Sequence, residues 1–164
     1  MNYHNITECD IANGEGIRTV LWVAGCSHHC PGCHNPQTWD PNGGVLFDKN
    51  AEEKLIKALS PAYISGITFS GGDPLHEANR YEVGTLVLKI KELFPDKTIW
   101  IYTGYSWEEV KDLLAVKYAD VLVDGRFQIA KRDISLYWRG SSNQRVIDIP
   151  KSIQSGAVCL REET

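Results

Sequence analysis

The chain has 164 residues, 43% of them hydrophobic, and a formal net charge of −4, the size and composition of one packed domain. No run of lysine or arginine forms an electrostatic footprint for phosphates, so nucleic acid is not an expected partner. The polar opening MNYHNITECD lacks a signal-peptide core and no stretch nears the roughly 20 apolar residues of a membrane span, which predicts a cytoplasmic protein without a membrane partner.

Ile17 to Ala24 (IRTVLWVA) is a nearly continuous apolar run rich in β-branched and aromatic side chains, the pattern of a buried strand. The segment CSHHCPGC follows at once. Asn50 with Glu53 has capping-box spacing ahead of Leu55, Ile56 and Leu59 and predicts a helix. A second apolar run, Gly66 to Phe69, leads into SGGDP. Asn79 with Glu82 opens a second helix, in which Val83, Leu86, Val87, Ile90, Leu93 and Phe94 share one face until Pro95 ends it. Strands are predicted at Thr98 to Tyr102 and Asp120 to Val123, with a third helix opened by Ser106 and Glu109 between them. A less regular strand is predicted at Arg145 to Ile149. The residues after Pro150 (KSIQSGAVCLREET) lack periodicity and read as a loosely held appendage.

Strand and helix alternate, so the expected class is α/β, with parallel strands, right-handed crossovers and a site at the carboxyl ends of the strands. The roughly 250 residues of a full eight-unit barrel are not available. The predicted architecture is therefore an incomplete, open (β/α) partial barrel in a single domain, residues 1–164.

Five cysteines is an odd number, and three of them, Cys26, Cys30 and Cys33, fall within eight positions. A disulfide framework explains that poorly and a metal explains it well. The C-x3-C-x2-C spacing brings three thiols from one loop to one small object, and soft thiolates select iron–sulfur clusters or zinc. Zinc would take His28, His29 or His34 as a fourth ligand in a closed site. A cluster would keep one iron free of protein. Cys9 and Cys159 stand alone and are assigned no role. Ser70-Gly71-Gly72-Asp73-Pro74 directly follows a predicted strand. Its glycines let backbone approach a ligand and Asp73 can accept from an ammonium, though a plain turn has the same composition.

C-x3-C-x2-C after the first strand, followed by a glycine-glycine-acid segment after a later one, resembles the radical S-adenosylmethionine enzymes. Further segments are similar to one branch of them, the activating proteins of anaerobic ribonucleoside-triphosphate reductases: MNYH, the turn from Asn13-Gly14 to Arg18, GC-x-H-x-CPGC-x-N, Thr38-Trp39, SGGDPLH, IW-x-YTGY, VLVDGRF and WRGSSNQ. The resemblance covers roughly residues 1–147, and 148–164 has no counterpart. Gly32 stands where many radical enzymes place an aromatic residue, His34 where tyrosine is expected and Glu15 where proline is expected.

The resemblance implies a 4Fe-4S cluster on Cys26, Cys30 and Cys33, with S-adenosylmethionine chelated at the open iron. An external one-electron donor such as reduced flavodoxin feeds the cluster, the sulfonium is cleaved, and the radical passes to a glycine of the reductase's large subunit. It also implies cofactor contacts from Gly32, His34, Ser70, Gly71, Gly72 and Asp73. Thr103 and Asp124 each follow an apolar strand, where α/β folds place ligand contacts, and are candidates for the ribose or methionyl group; strand-ending turns are the alternative. Asn13-Gly14-Glu15-Gly16 reads as a structural turn. Trp138 to Gln144 joins an aromatic to a guanidinium, a pairing common to interfaces and to partly buried tryptophans. His4 and His76 are expected to make ordinary packing contacts.

Overall fold

The computed structural model describes residues 1–162. Strands β1 (Asn2–Asp10), β2 (Arg18–Val23), β3 (Val45–Leu46), β4 (Gly66–Gly71), β5 (Thr98–Tyr102), β6 (Val121–Asp124) and β7 (Arg145–Asp148) form one sheet. Its order is β3-β1-β2-β4-β5-β6-β7, and no pairing closes β3 onto β7. The helices are α1 (Lys49–Leu59), α2 (Arg80–Leu93), α3 (Trp107–Val110), α4 (Leu114–Tyr118) and α5 (Ile149–Ser155). None is long and apolar enough to cross a membrane among the described residues.

The parallel strands β2, β4, β5 and β6 are laid side by side in chain order. Right-handed crossovers repeated without a reversal keep their helices on one face. Strand alternation then gives the sheet two different surfaces. Leu21, Val23, Ile67, Phe69, Ile99, Ile101 and Leu122 pack into the main core with Leu55, Leu59, Val83, Val87 and Ile90 of the helices. On the opposite face Trp100, Val121, Val123 and Val146 make a small second cluster, and Trp22, Ser70 and Tyr102 line a cavity.

Several expectations need correction. β7 runs antiparallel to β6, from Val121↔Asp148 to Asp124↔Arg145. The link between them contains only a 3-10 turn, Ile129–Lys131, and no helix that would carry the chain back for a parallel pairing. β1 was not foreseen, because only Ile6 of its nine residues is buried; it pairs antiparallel to β2. Asp48, not Asn50, caps α1, accepting from Ala51 N at 2.9 Å. Asn79 precedes α2 without capping it, and its amide donates instead to Ala24 O (2.9 Å) and Asp73 O (3.0 Å). Glu82 meets the chain's amino terminus. The Ser106–Glu109 capping box is present at α3.

The segment after Pro150 is tied to the sheet as far as Arg161, and Glu163 and Thr164 lie outside the described residues. Asp148 caps α5 through Lys151 N (3.1 Å). Asp148 N donates to Cys159 O (2.9 Å), and Arg161 N to Val146 O (2.8 Å).

Arg18 is fully buried where β2, β4 and β5 begin. Its Nε donates to Thr68 Oγ1 (2.8 Å), Nη1 to Glu15 O (3.0 Å) and Thr98 Oγ1 (2.9 Å), and Nη2 to Ile67 O (2.7 Å) and Thr98 O (2.9 Å). The guanidinium also lies 5.4 Å from the centroid of the Trp100 ring. Burial pushes its pKa down to about 10, so it is still protonated at neutral pH. The Asn13–Gly16 turn serves this group: Gly14 has φ +126°, and a Cβ there would stand 2.8 Å from Arg18 Cδ.

Candidate functional site

The cysteine loop is closed at its base. Gly25 N donates to Thr38 O (2.7 Å) and Cys26 N to Trp39 O (3.0 Å), so the chain returns to its starting point after fewer than fifteen residues. The base is then fixed to the end of β4, with Gly72 N donating to Val23 O (2.8 Å) and Asp73 N to Gly25 O (2.7 Å). A Cβ at Gly72 would lie 2.5 Å from Gly25 O and 2.8 Å from Thr38 O. Gly71, at φ +107°, would place one 2.6 Å from Val23 N. The two glycines are thus required by contact between chain segments, whatever ligand they also admit.

This junction opens onto a cavity of about 620 Å³. Cys26, Cys30 and Cys33 line it, as do Gly32, His34, Ser70, Gly71, Gly72, Asp73 and Thr103. Residues from three separated stretches of sequence therefore meet in one space. Asp124 does not line it. Its Oδ2 accepts from Trp107 N (2.7 Å) and Arg145 Nη2 (2.6 Å), and its Oδ1 from Arg145 Nε (3.0 Å). That carboxylate fixes the start of α3 to the sheet.

Asp73 is 1% exposed and its carboxylate is a junction. Oδ1 accepts from Leu75 N (2.8 Å), and Oδ2 from Gly104 N (2.9 Å). Thr103 Oγ1 lies 2.9 and 3.0 Å from the two oxygens, and His28 Nε2 lies 2.8 Å from Oδ2. The His28 ring also meets Tyr105 edge-on at 4.5 Å, and a Cβ on Gly104 would stand 2.4 Å from it. His28 thereby joins the cysteine loop to the ends of β4 and β5. Asp73→Ala would strand two backbone donors, a hydroxyl and an imidazole. Breaking such a buried network costs about 3–5 kcal/mol, or roughly 10–15 °C in Tm at this chain length. Differential scanning calorimetry should show that fall. An unchanged Tm would mean that this network does not support the fold.

Burial pushes the Cys26 thiol up to about 11 and raises that of Cys30. Backbone N–H groups of His28 and His29 face the Cys26 sulfur, that of Phe127 the Cys30 sulfur, and Asn35 N lies 3.4 Å from Cys33 Sγ. Such donors favour thiolates once a metal replaces the protons. Among the described residues no three His, Cys, Asp or Glu side chains stand close enough to hold a single ion. The histidines weighed as a fourth zinc ligand are otherwise disposed: His28 is on Asp73, His29 meets Trp39 edge-on at 4.6 Å, and His34 is exposed. Three thiols facing one roomy cavity fit a polynuclear cluster better than a closed mononuclear site.

Sequence reasoning did not foresee the aromatic wall. Trp22, Trp39, Tyr102, Phe127 and Trp138 all line the cavity. Trp138, at φ +58°, packs edge-on to Trp100 at 5.0 Å. The available signal was the period-2 alternation within β2 and β5, where Trp22, Trp100 and Tyr102 all fall on the face away from the helices. His4 and His76 make no cluster, and His76 Nδ1 accepts from Ala78 N (3.1 Å).

The model of a 4Fe-4S single cluster domain matches residues 12–147. The anaerobic ribonucleoside-triphosphate reductase-activating protein of Enterobacteria phage T4 is 47% identical over 146 residues, 89% of this chain and 93% of its own. Its namesake in Escherichia coli K12 is 46% identical over 150 residues, covering 89% and 97%. That of Haemophilus influenzae is 44% identical over 148 residues, covering 88% and 96%. With the three thiols and the Ser70–Asp73 segment meeting in one cavity, the chain belongs to the family of anaerobic ribonucleoside-triphosphate reductase-activating proteins, built on a 4Fe-4S single cluster domain.

Proposed function

We propose that the chain activates an anaerobic ribonucleoside-triphosphate reductase by generating a glycyl radical on its large subunit, through reductive cleavage of S-adenosylmethionine at a 4Fe-4S cluster. The observation that carries this reading is the convergence of Cys26, Cys30 and Cys33 with Ser70–Asp73 and Thr103 on one open cavity. The three cysteines hold the cluster. When bound, it would supply the electron that reduces the sulfonium. Gly32, His34, Ser70, Gly71 and Gly72 enclose the cofactor, and Asp73 with Thr103 fixes the strand ends around it. Asp124 supports the site from behind, through α3 and Arg145. The aromatic wall keeps water from the reacting atoms. A one-electron donor such as reduced flavodoxin acts from outside, in the cytoplasm. A sheet with helices on one face and a cavity on the other supports the partial-barrel architecture of the radical enzymes, in a single domain.

With reductant, S-adenosylmethionine and the large reductase subunit, anaerobic incubation should yield a doublet in electron paramagnetic resonance near the free-electron position. Absence of that signal, despite a reducible cluster and bound cofactor, would overturn the reading in favour of an enzyme acting on a small metabolite.

A further inference from the structure

The connection between β6 and β7 leaves an unusual surface beside the cavity. Its base is firmly built: Gln144 Nε2 donates to Gly125 O (2.9 Å), Asn143 Nδ2 to Arg126 O (2.8 Å), Gln128 N to Ser141 Oγ (3.1 Å) and Ser142 N to Lys131 O (2.9 Å). The inner side of the excursion touches the cysteine loop, where Ile129 would lie 2.6 Å from a Cβ on Gly32 and Phe127 N–H faces Cys30. Its outer side has no such cover. Tyr137 is 55% exposed, and Ile134, at the mouth of the cavity, is 90% exposed. Exposed apolar side chains on a connection that borders a cavity mark an interaction surface. The rim is also basic: residues 126–137 carry Arg126, Lys131 and Arg132 against Asp133 alone, in a chain whose net charge is −4.

We infer that this excursion is the docking surface for the reductase's large subunit, engaging an acidic, partly apolar face around the glycine that receives the radical. The inference rests on the proposed function. Three features select this occupant over a second copy of the chain or a free small molecule. The rim adjoins the open mouth of the cavity, with Arg132, Ile134 and Leu136 among its lining residues, so a protein seated on the rim also covers the site. The surplus of cations calls for carboxylates across the interface. A second copy of this acidic chain would present the same basic rim at a two-fold contact and repel it.

The test uses reconstituted holoenzyme. Ala130→Glu/Lys131→Glu inverts the rim's charge at two exposed positions that line no part of the cavity, and Tyr137→Ser removes an exposed ring. Anaerobic titration against the large subunit should show the double variant binding at least tenfold more weakly, with a flatter salt dependence. Tyr137→Ser should lose about tenfold. Iron content and S-adenosylmethionine affinity should match the unaltered protein. Radical yield should recover at saturating reductase, because docking and not chemistry is impaired. Unchanged reductase affinity in both variants overturns the docking surface while leaving the activase reading intact. Failure of the unaltered holoenzyme to bind the reductase or place a radical on it overturns both.

Discussion

Cys26→Ala, Cys30→Ala and Cys33→Ala are each expected to abolish the cluster, taking anaerobic reconstitution from about four irons per chain to nearly none. Three thiols are already one short of a full protein ligand set. No His, Cys, Asp or Glu side chains gather in a group of three or more that could hold a metal ion among the described residues, so the surroundings offer no ready replacement for a lost thiol. Burial adds to the sensitivity. With the Cys26 thiol pushed up to about 11 and that of Cys30 also raised, both are protonated in the metal-free protein at neutral pH, and cluster binding must displace those protons. Two remaining thiolates would have to meet that cost alone. The fold should survive, because the loop is closed by Gly25 N and Cys26 N on Thr38 O and Trp39 O rather than by its sulfurs. Iron and sulfide assays with circular dichroism check both halves. A single-cysteine variant that keeps a full complement of iron, or stoichiometric zinc in the unaltered protein without iron uptake, would refute the ligand assignment.

Arg18→Met should instead strike the fold. The substitution keeps much of the side chain's length and removes every donor, leaving Glu15 O, Ile67 O and Thr98 O without their bonds in a buried region. Its loss costs about 3–5 kcal/mol, because the stranded acceptors are desolvated on top of the lost bonds. For a chain of this length that is roughly a 10–15 °C fall in Tm. Differential scanning calorimetry of the metal-free protein isolates the effect from the cluster. A shift below a few degrees would mean that water reaches those carbonyls and that the buried guanidinium is dispensable.

Much of this was legible in the sequence because the informative elements carry dense local signals. β2, β4, β5 and β6 read as strands since burial on one side under helices and on the other in a lined cavity leaves little polar alternation. The cysteine spacing and Ser70–Asp73 named the site because their chemistry is concentrated in a few adjacent residues. What escaped depends on contacts across long separations. The direction of β7 is a property of the helix-free link before it, and an apolar run carries no arrow. Asn79 has the composition of a cap, but two carbonyls from elsewhere, Ala24 and Asp73, take its amide. Asp124 occupies a position where ligands commonly bind, and Arg145, twenty-one residues on, engages it first. Asp73 looked free to meet a ligand's ammonium because nothing local announces His28, Thr103 and Gly104 as its partners.

The one-sided arrangement of helices divides the strands between two selective regimes. Along β4, Ile67 and Phe69 face the helical core, where hydrophobic residues of similar volume exchange at modest cost. Thr68 and Ser70 alternate with them on the other face, where Thr68 supports Arg18 and Ser70 lines the cavity. Neighbouring codons in one strand thus answer to different demands. Substitutions at Ile67 and Phe69 that keep volume should therefore cost little, while those at Thr68 and Ser70 should disturb Arg18 or the cavity.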